Sequence, residues 1–253
     1  ELYGPYPFSS EKTIKEWKAI TPQLGFSGSG FFNYNVSDFR SLLDEYGLKA
    51  KSAHIHLHTL NTRMPEVGDA ARSLGLECVG IAYIPEEKRK TLDGYKRMAD
   101  EFNVLGDLAK KEGLKFIYHN HGYGLKEQDD QVPMKLILDN TDPELVFFEM
   151  DIFWTTAGGA NPIEYLKSYP NRYLCIHLKD MSKLVYFSKD GSNPQQWIEL
   201  FPFMTNVGNG ILDIKQIVYE AKKNGVKHFF VEQDMVENPK IALQASLDFL
   251  KNI

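Results

Sequence analysis

The chain has 253 residues, 29 Lys and Arg against 34 Asp and Glu, and a formal charge of −5. Apolar residues make up 43% and charged residues 25%, the profile of a globule with a sizeable core, which excludes disorder and collagen-like repeats. No run of 18 apolar residues occurs, and an acidic chain without a Lys/Arg stripe suits a phosphate backbone poorly, so neither a membrane nor a nucleic acid is an expected partner.

In chain order, residues 2–8 read as a short strand, while 25–32 is too rich in Gly and Ser to count as a dependable one. Val36, Phe39, Leu42, Leu43 and Tyr46 advance by three or four and predict a helix, with Ser37 or Asp38 available as its cap. Apolar runs at 53–58, 79–83, 115–121, 145–151, 173–179 and 228–234 predict strands. Leu92, Tyr95, Met98, Phe102, Leu105 and Ala109 mark a long amphipathic helix. Asp213 can cap a helix carrying Ile214, Ile217, Val218 and Ala221. Gly47, Gly75, Gly113 and Gly225 each follow a helical pattern and precede an apolar run, as expected of left-handed C-caps before strands. Their spacing is that of repeated βα units, and strands alternating with helices predict a parallel sheet. Seven strands are counted, one short of an eight-stranded barrel, over a single domain at 1–253. Residues 181–210 form the one long irregular connection, expected to drape over one end. Cys78 and Cys175, in separate strand-like runs, read as buried thiols.

Side-chain alternation sorts the strands into two faces. His54, His56 and His58 share one parity, as do His119 with His121, Glu149 with Asp151, His177 with Lys179, and Glu232 with Asp234. The opposite parity carries Phe116, Tyr118, Val146, Phe148, Met150, Leu174, Ile176, Leu178, Phe229 and Val231, suited to packing under helices. The polar set then points into the barrel at the C-terminal strand ends, where barrel active sites lie. His119, Asp151, His177 and Glu232 offer a mixed N/O donor set for a divalent cation. Glu149, one layer deeper, is either part of this set or a buried structural acid. Lys179 would place an ammonium beside the cation to polarise a substrate oxygen; Asp180, of opposite parity, reads as a loop or capping residue. Tyr3, Tyr6, Phe8, Phe31, Phe32, Tyr34 and Trp154 crowd the same end, as sugar-binding faces or as plain packing. The stretch Val207-Gly208-Asn209-Gly210 ahead of a helix could cradle a phosphate on its N–H groups.

The runs Ser52-Ala53-His54, Tyr118-His119-Asn120-His121, Glu149-Met150-Asp151, His177-Leu178-Lys179-Asp180 and Val231-Glu232-Gln233 resemble the sugar phosphate isomerase/epimerase family, whose members are xylose isomerase-like (β/α)8 TIM barrels. The resemblance covers nearly the whole chain in order. It implies a bound Mn²⁺, Mg²⁺, Co²⁺ or Zn²⁺, with Asp151, His177 and Glu232 matching three of the family's four ligands. His119 stands where a Glu is usual, and His121 matches the His that follows it. Family members begin with a strand and helix ahead of the segment resembling residues 1–8, so on this resemblance the first βα unit is absent from the chain. That leaves cytoplasm and periplasm both open, and leaves strand edges that a second copy of the chain could cover.

On this reading the first expectation is a sugar isomerase or epimerase acting on a small carbohydrate. Glu232 removes a proton next to a chelated carbonyl, Lys179 steadies the enediolate, and His54, His56 or His121 serves as a second proton carrier. The runner-up is a lyase or hydratase acting on 3-keto-glycosides, in which the same carbanion expels a β-leaving group. A multi-metal DNA-repair enzyme, as in the related endonuclease IV barrel, fits poorly with the −5 charge. A non-catalytic sugar-binding barrel would not need the convergent Lys.

Overall fold

The period-two apolar runs become parallel strands, and the three-or-four-step stripes become the helices that cover them. The computed structural model describes residues 36–45, 47–234 and 236–253. The expected strand at 2–8, the segment 25–32 and the aromatics Tyr3, Tyr6, Phe8, Phe31, Phe32 and Tyr34 lie outside the described residues.

The strands are β1 (Ser52–His54), β2 (Cys78–Ile81), β3 (Lys115–His119), β4 (Val146–Asp151), β5 (Tyr173–Leu178), β6 (Asp180–Met181), β7 (Met204–Thr205) and β8 (His228–Val231). Six of them form one sheet in the order β1-β2-β3-β4-β5-β8, with every pair parallel. The sheet curls. His228 Nε2, at the start of β8, lies 3.0 Å from Glu77 Oε2, just ahead of β2, although the two strands stand four places apart. In a flat sheet those places would span about 19 Å.

The helices are α1 (Val36–Glu45), α2 (Leu57–Thr62), α3 (Met64–Leu74), α4 (Leu92–Lys111), α5 (Pro133–Asn140), α6 (Ile152–Ala157), α7 (Pro162–Ser168), α8 (Pro194–Ile198), α9 (Ile214–Lys223) and α10 (Pro239–Leu250). The four expected glycine caps all adopt positive φ: Gly47 at 65°, Gly75 at 75°, Gly113 at 76° and Gly225 at 96°. After each, the next residue's N–H bonds back into the helix, Leu48 to Leu43, Leu76 to Ala71, Leu114 to Ala109 and Val226 to Ala221. This is the Schellman closure that turns a helix into the following strand. Asp213 caps α9 through the Gln216 N–H. Ser37 and Asp38 fall inside the first turn of α1 rather than ahead of it.

Alternation then builds two layers. Phe116, Tyr118, Val146, Phe148, Met150, Ile176 and Leu178 pack outward with Tyr95, Met98, Phe102 and Leu105 of α4 and with neighbouring helices. Inward, Cys78, Ile117, Leu174 and Cys175 form a separate apolar floor with Phe147 and Phe230. Leu174 departs from the expected outer face because the register between β4 and β5 slips at Phe148/Glu149, where Phe148 pairs with Tyr173 and Glu149 with Cys175. That irregularity adds one residue to β5 and turns Leu174 inward. Both cysteines are buried free thiols.

Residues 181–210, expected as irregular, carry structure of their own. β6 and β7 pair antiparallel, α8 and a 3₁₀ turn at Phe201–Phe203 lie between them, and Met181, Phe187, Leu200 and Met204 pack on Phe153, Trp154 and Ala157 of α6. The segment is therefore fastened over the C-terminal end of β4. Among the described residues, no helix is long and apolar enough to cross a membrane.

Candidate metal and acid–base site

Four strands deliver ionisable residues one pleat above the apolar floor. On β3, Ile117 is followed by His119; on β4, Phe147 is followed by Glu149 and Asp151; on β5, Cys175 by His177 and then Lys179; past β8, Phe230 by Glu232. Parallel register holds these groups level, with His119 opposite Glu149 and Asp151 opposite His177.

Asp151 ends β4 and caps α6: its Oδ1 accepts the Trp154 N–H at 2.9 Å, which leaves Oδ2 turned to the site. Asn120 fixes the same junction. Its Oδ1 accepts the Asp151 N–H at 3.2 Å and its amide donates to Thr155 Oγ1 at 3.1 Å. His177 Nδ1 lies 2.5 Å from Glu232 Oε2 and 3.9 Å from Asp151 Oδ2. The His119 and His177 rings are 4.5 Å apart between centroids. Donor atoms of His119, Asp151 and His177 all fall within 4.8 Å of one another, and Glu232 adjoins them through His177.

Lys179 is sealed, with 2% of its side chain exposed, and its Nζ stands 3.1 Å from Asp151, 3.0 Å from Glu232 and 2.9 Å from Asp234. Burial opposes its charge, but the Asp151, Glu232 and Asp234 carboxylates outweigh burial and hold the ammonium well above the usual lysine range. Burial likewise works against the Glu232 carboxylate, yet Lys179 and His177 keep it well below the usual carboxylate range. Asp151 goes the other way: burial raises it despite Lys179.

Glu149, which the sequence left undecided, lies fully buried among three imidazoles. Its Oε2 is 2.5 Å from His54 Nε2 and 3.5 Å from His119 Nδ1, and its Oε1 is 3.5 Å from His177 Nε2. Burial disfavours its charge, but His177 and His54 hold it well below the usual range. The strand pattern placed it one layer below Asp151, but parity within one strand does not show which side chains of other strands meet it there.

His54 thus joins the cluster through Glu149. His56 and His58 do not: the strand ends at His54, the chain turns into α2, and both rings are exposed on the surface. His121, past the end of β3, is stacked on Trp197 of α8 at 4.3 Å and stands 5.0 Å from His119. Burial, then His119, pushes it well below the usual histidine range. The strand pattern missed Trp197, since α8 lies in the segment read as irregular.

Asp180 acts as a cap, and in doing so fills the expected phosphate cradle. Its carboxylate accepts the N–H groups of Met181, Gly208, Gly210 and Leu212 at 2.7 to 3.3 Å. The N–H groups that would have received an anion are occupied by the protein's own.

Two features of the donor set suit a divalent cation. His119 Nδ1 and Glu149 Oε1 are shut away from water with no hydrogen-bond partner among the described residues, an arrangement that costs free energy unless something else satisfies it. Two imidazoles with one or two carboxylates are also the chemistry that Zn²⁺, Mn²⁺ and Co²⁺ favour. The residues fit.

A family model described as a xylose isomerase-like TIM barrel matches residues 18–253. An inosose dehydratase of Clostridium beijerinckii is 33% identical over 131 residues, covering 49% of this chain and 41% of that protein. Across this and two Bacillus cereus inosose dehydratases, the aligned stretch spans 41% to 64% of the relative's length. A solved sugar phosphate isomerase/epimerase from Parabacteroides distasonis superposes with a TM-score of 0.70 at 23% identity, over 86% of this chain and 76% of that one. The IolI protein, solved with a zinc atom, gives 0.66 at 17% identity, over 87% and 81%. At these identities the two structures show a common fold.

Proposed function

Because the chain belongs to the xylose isomerase-like TIM barrel family, its cluster stands at the strand ends where such barrels carry their chemistry, and we propose that it is a metal-dependent carbon–oxygen lyase acting on a cyclic polyhydroxy ketone. Inososes and 3-keto-glycosides both belong to that substrate class. His119, Asp151, His177 and Glu232 would hold the cation, which when bound polarises the substrate carbonyl and lowers the pKa of the neighbouring C–H.

The chain's own residues supply the proton traffic. Glu232, kept ionised beside Lys179, takes the proton from the carbon next to the carbonyl. Lys179, kept charged behind Asp151 and Glu232, holds Glu232 ionised and lends the site positive charge as negative charge develops on the substrate oxygen. The C–O bond at the β-carbon then breaks, and Glu232 returns its proton to the departing oxygen, so water or an alcohol leaves and a carbon–carbon double bond remains. One carboxylate serves as base and then as acid.

The observation that carries this reading is an asymmetry. Glu232 keeps 21% of its side chain exposed, whereas Glu149 and Asp151 show 0% and His119 4%. Elimination needs one proton-carrying group. Epimerisation needs a second on the opposite face, and His119, a ligand in this reading, has its lone pair committed. The names of the curated relatives favour dehydration as well. The isomerase or epimerase expected first from the sequence becomes the second reading, with His121 as its second carrier.

The test is to give the protein, with Mn²⁺ or Zn²⁺ in D₂O, an inosose, a 3-keto-glycoside and a free ketose, and to follow products by NMR. The expected result is elimination from a cyclic ketone in preference to any change in the ketose. Rapid epimerisation of the ketose with no elimination from either cyclic ketone would overturn the proposal.

A further inference from the structure

Three carboxylates converge on the single ammonium of Lys179, and the reaction proposed above uses two of them. Asp151 Oδ2 and Glu232 Oε2 stand 3.1 Å and 3.0 Å from Nζ, and Asp234 Oδ2 accepts a hydrogen bond from it at 2.9 Å. Asp151 and Glu232 already outnumber the charge of Lys179. A third carboxylate is not needed to neutralise it, and adds repulsion where negative charge is to develop on a substrate. Such a group is favourable there only when it accepts hydrogen bonds.

Its position suits that task. The chain leaving β8 orders three side chains by height: Phe230 packs on the floor, Glu232 meets His177, and Asp234 stands two residues further out. Asp234 is also the most open of the three acids, with 29% of its side chain exposed against 21% for Glu232 and 0% for Asp151. A carboxylate offers about four lone-pair positions. Lys179 takes one of them on Oδ2, and no hydrogen bond from the described residues falls on Oδ1.

We propose that Asp234 is a specificity-determining residue that accepts a hydrogen bond from a ring hydroxyl of the substrate. Lys179 pins Oδ2, and Oδ1 takes the O–H. Because Asp234 and Glu232 flank the same ammonium, that hydroxyl lies on, or next to, the carbon from which Glu232 removes the proton, and it is not the oxygen that departs. The substrate class narrows accordingly, to cyclic ketones that keep a free hydroxyl at this place. This rests on the reading of the cluster as a site for a cyclic polyhydroxy ketone.

The experiment uses probes that cannot react: inositol, which has no carbonyl, and its mono-deoxy derivatives, titrated by NMR into the full chain with Zn²⁺ present. For the wild-type chain, removal of one particular hydroxyl is expected to weaken binding by about 10–100-fold, the worth of a hydrogen bond to a charged acceptor. Asp234→Ala should weaken inositol by a similar factor and leave the affinity for that one deoxy compound where it was, so the two probes are no longer told apart. Asp234→Asn keeps the shape and serves the same comparison where the alanine variant does not fold. A folded variant that loses inositol and every deoxy compound by one common factor would overturn the proposal, since Asp234 would then act only through Lys179. So would wild-type discrimination in the variant, or a wild-type chain that binds none of the polyols. Hydroxyl-dependent binding without elimination from any cyclic ketone sinks the lyase reading alone, whereas elimination with discrimination unchanged by the substitution sinks this inference alone.

Discussion

The same strands end in two unlike regions a single pleat apart. Below Glu149 the barrel interior is an apolar floor of Cys78, Ile117, Phe147, Leu174, Cys175 and Phe230. Above it, seven ionisable side chains stand within reach of one another. The floor is held by removal of apolar surface from water, which tolerates small rearrangements. The upper layer is held by charge balance, in which each group is satisfied only while its neighbours keep their positions. The two should therefore answer differently to substitution: the floor through stability, the upper layer through ion binding and turnover.

The largest effect should come from Asp151→Ala combined with His177→Ala, which is expected to abolish stoichiometric metal by elemental analysis, beyond the 10–100-fold loss typical of residues that merely support ligands. Tight metal in that double variant would merge the two layers again. Lys179→Met should lower turnover by about 10²–10³ with metal content unchanged; wild-type turnover would return Lys179 to a purely structural place. On the floor, Ile117→Ala should cost about 2–5 kcal/mol of stability by denaturant unfolding and leave metal affinity where it was. A smaller effect is expected from acid. Ligand imidazoles must be neutral to bind, so affinity falls as pH falls. Burial and the neighbouring His177 hold His119 below the usual histidine range, so its share of that loss begins below about pH 6.5. Calorimetric titrations with Zn²⁺ at several pH values would check the sign. The least perturbing change should be His119→Glu, expected to retain the ion.

How far these two layers could be read from sequence depended on how local the cause was. The glycine caps at 47, 75, 113 and 225 follow from their own helices and were legible. So was the parity that points Asp151, His177 and Glu232 one way, because alternation is a property of each strand by itself. Leu174 was misplaced because its orientation is set by a slip between two strands. His56 and His58 were included because nothing in an alternating run announces that a strand stops after three residues. The Gly208–Gly210 cradle was offered to a phosphate because its occupant, Asp180, lies about 30 positions away. Glu149 was left undecided because its partners His54, His119 and His177 meet it only once β1, β3, β4 and β5 are assembled.

That assembly has an order built into it. In the first pair of the sheet, ladder partners such as Ser52 and Cys78 are close in sequence, whereas Cys175 and His228 are about twice as far apart. Each doubling of a closing loop costs about 0.6 kcal/mol more of chain entropy, and distant pairings form late. β8 should be the last stave to dock during folding, and it is β8 that leads into Glu232. The wall with His119, Asp151 and His177 would then form before Glu232, the carboxylate proposed to carry the proton, is in place. In stopped-flow refolding, capture of a metal by the three earlier residues should precede the return of activity, with a lag set by β8.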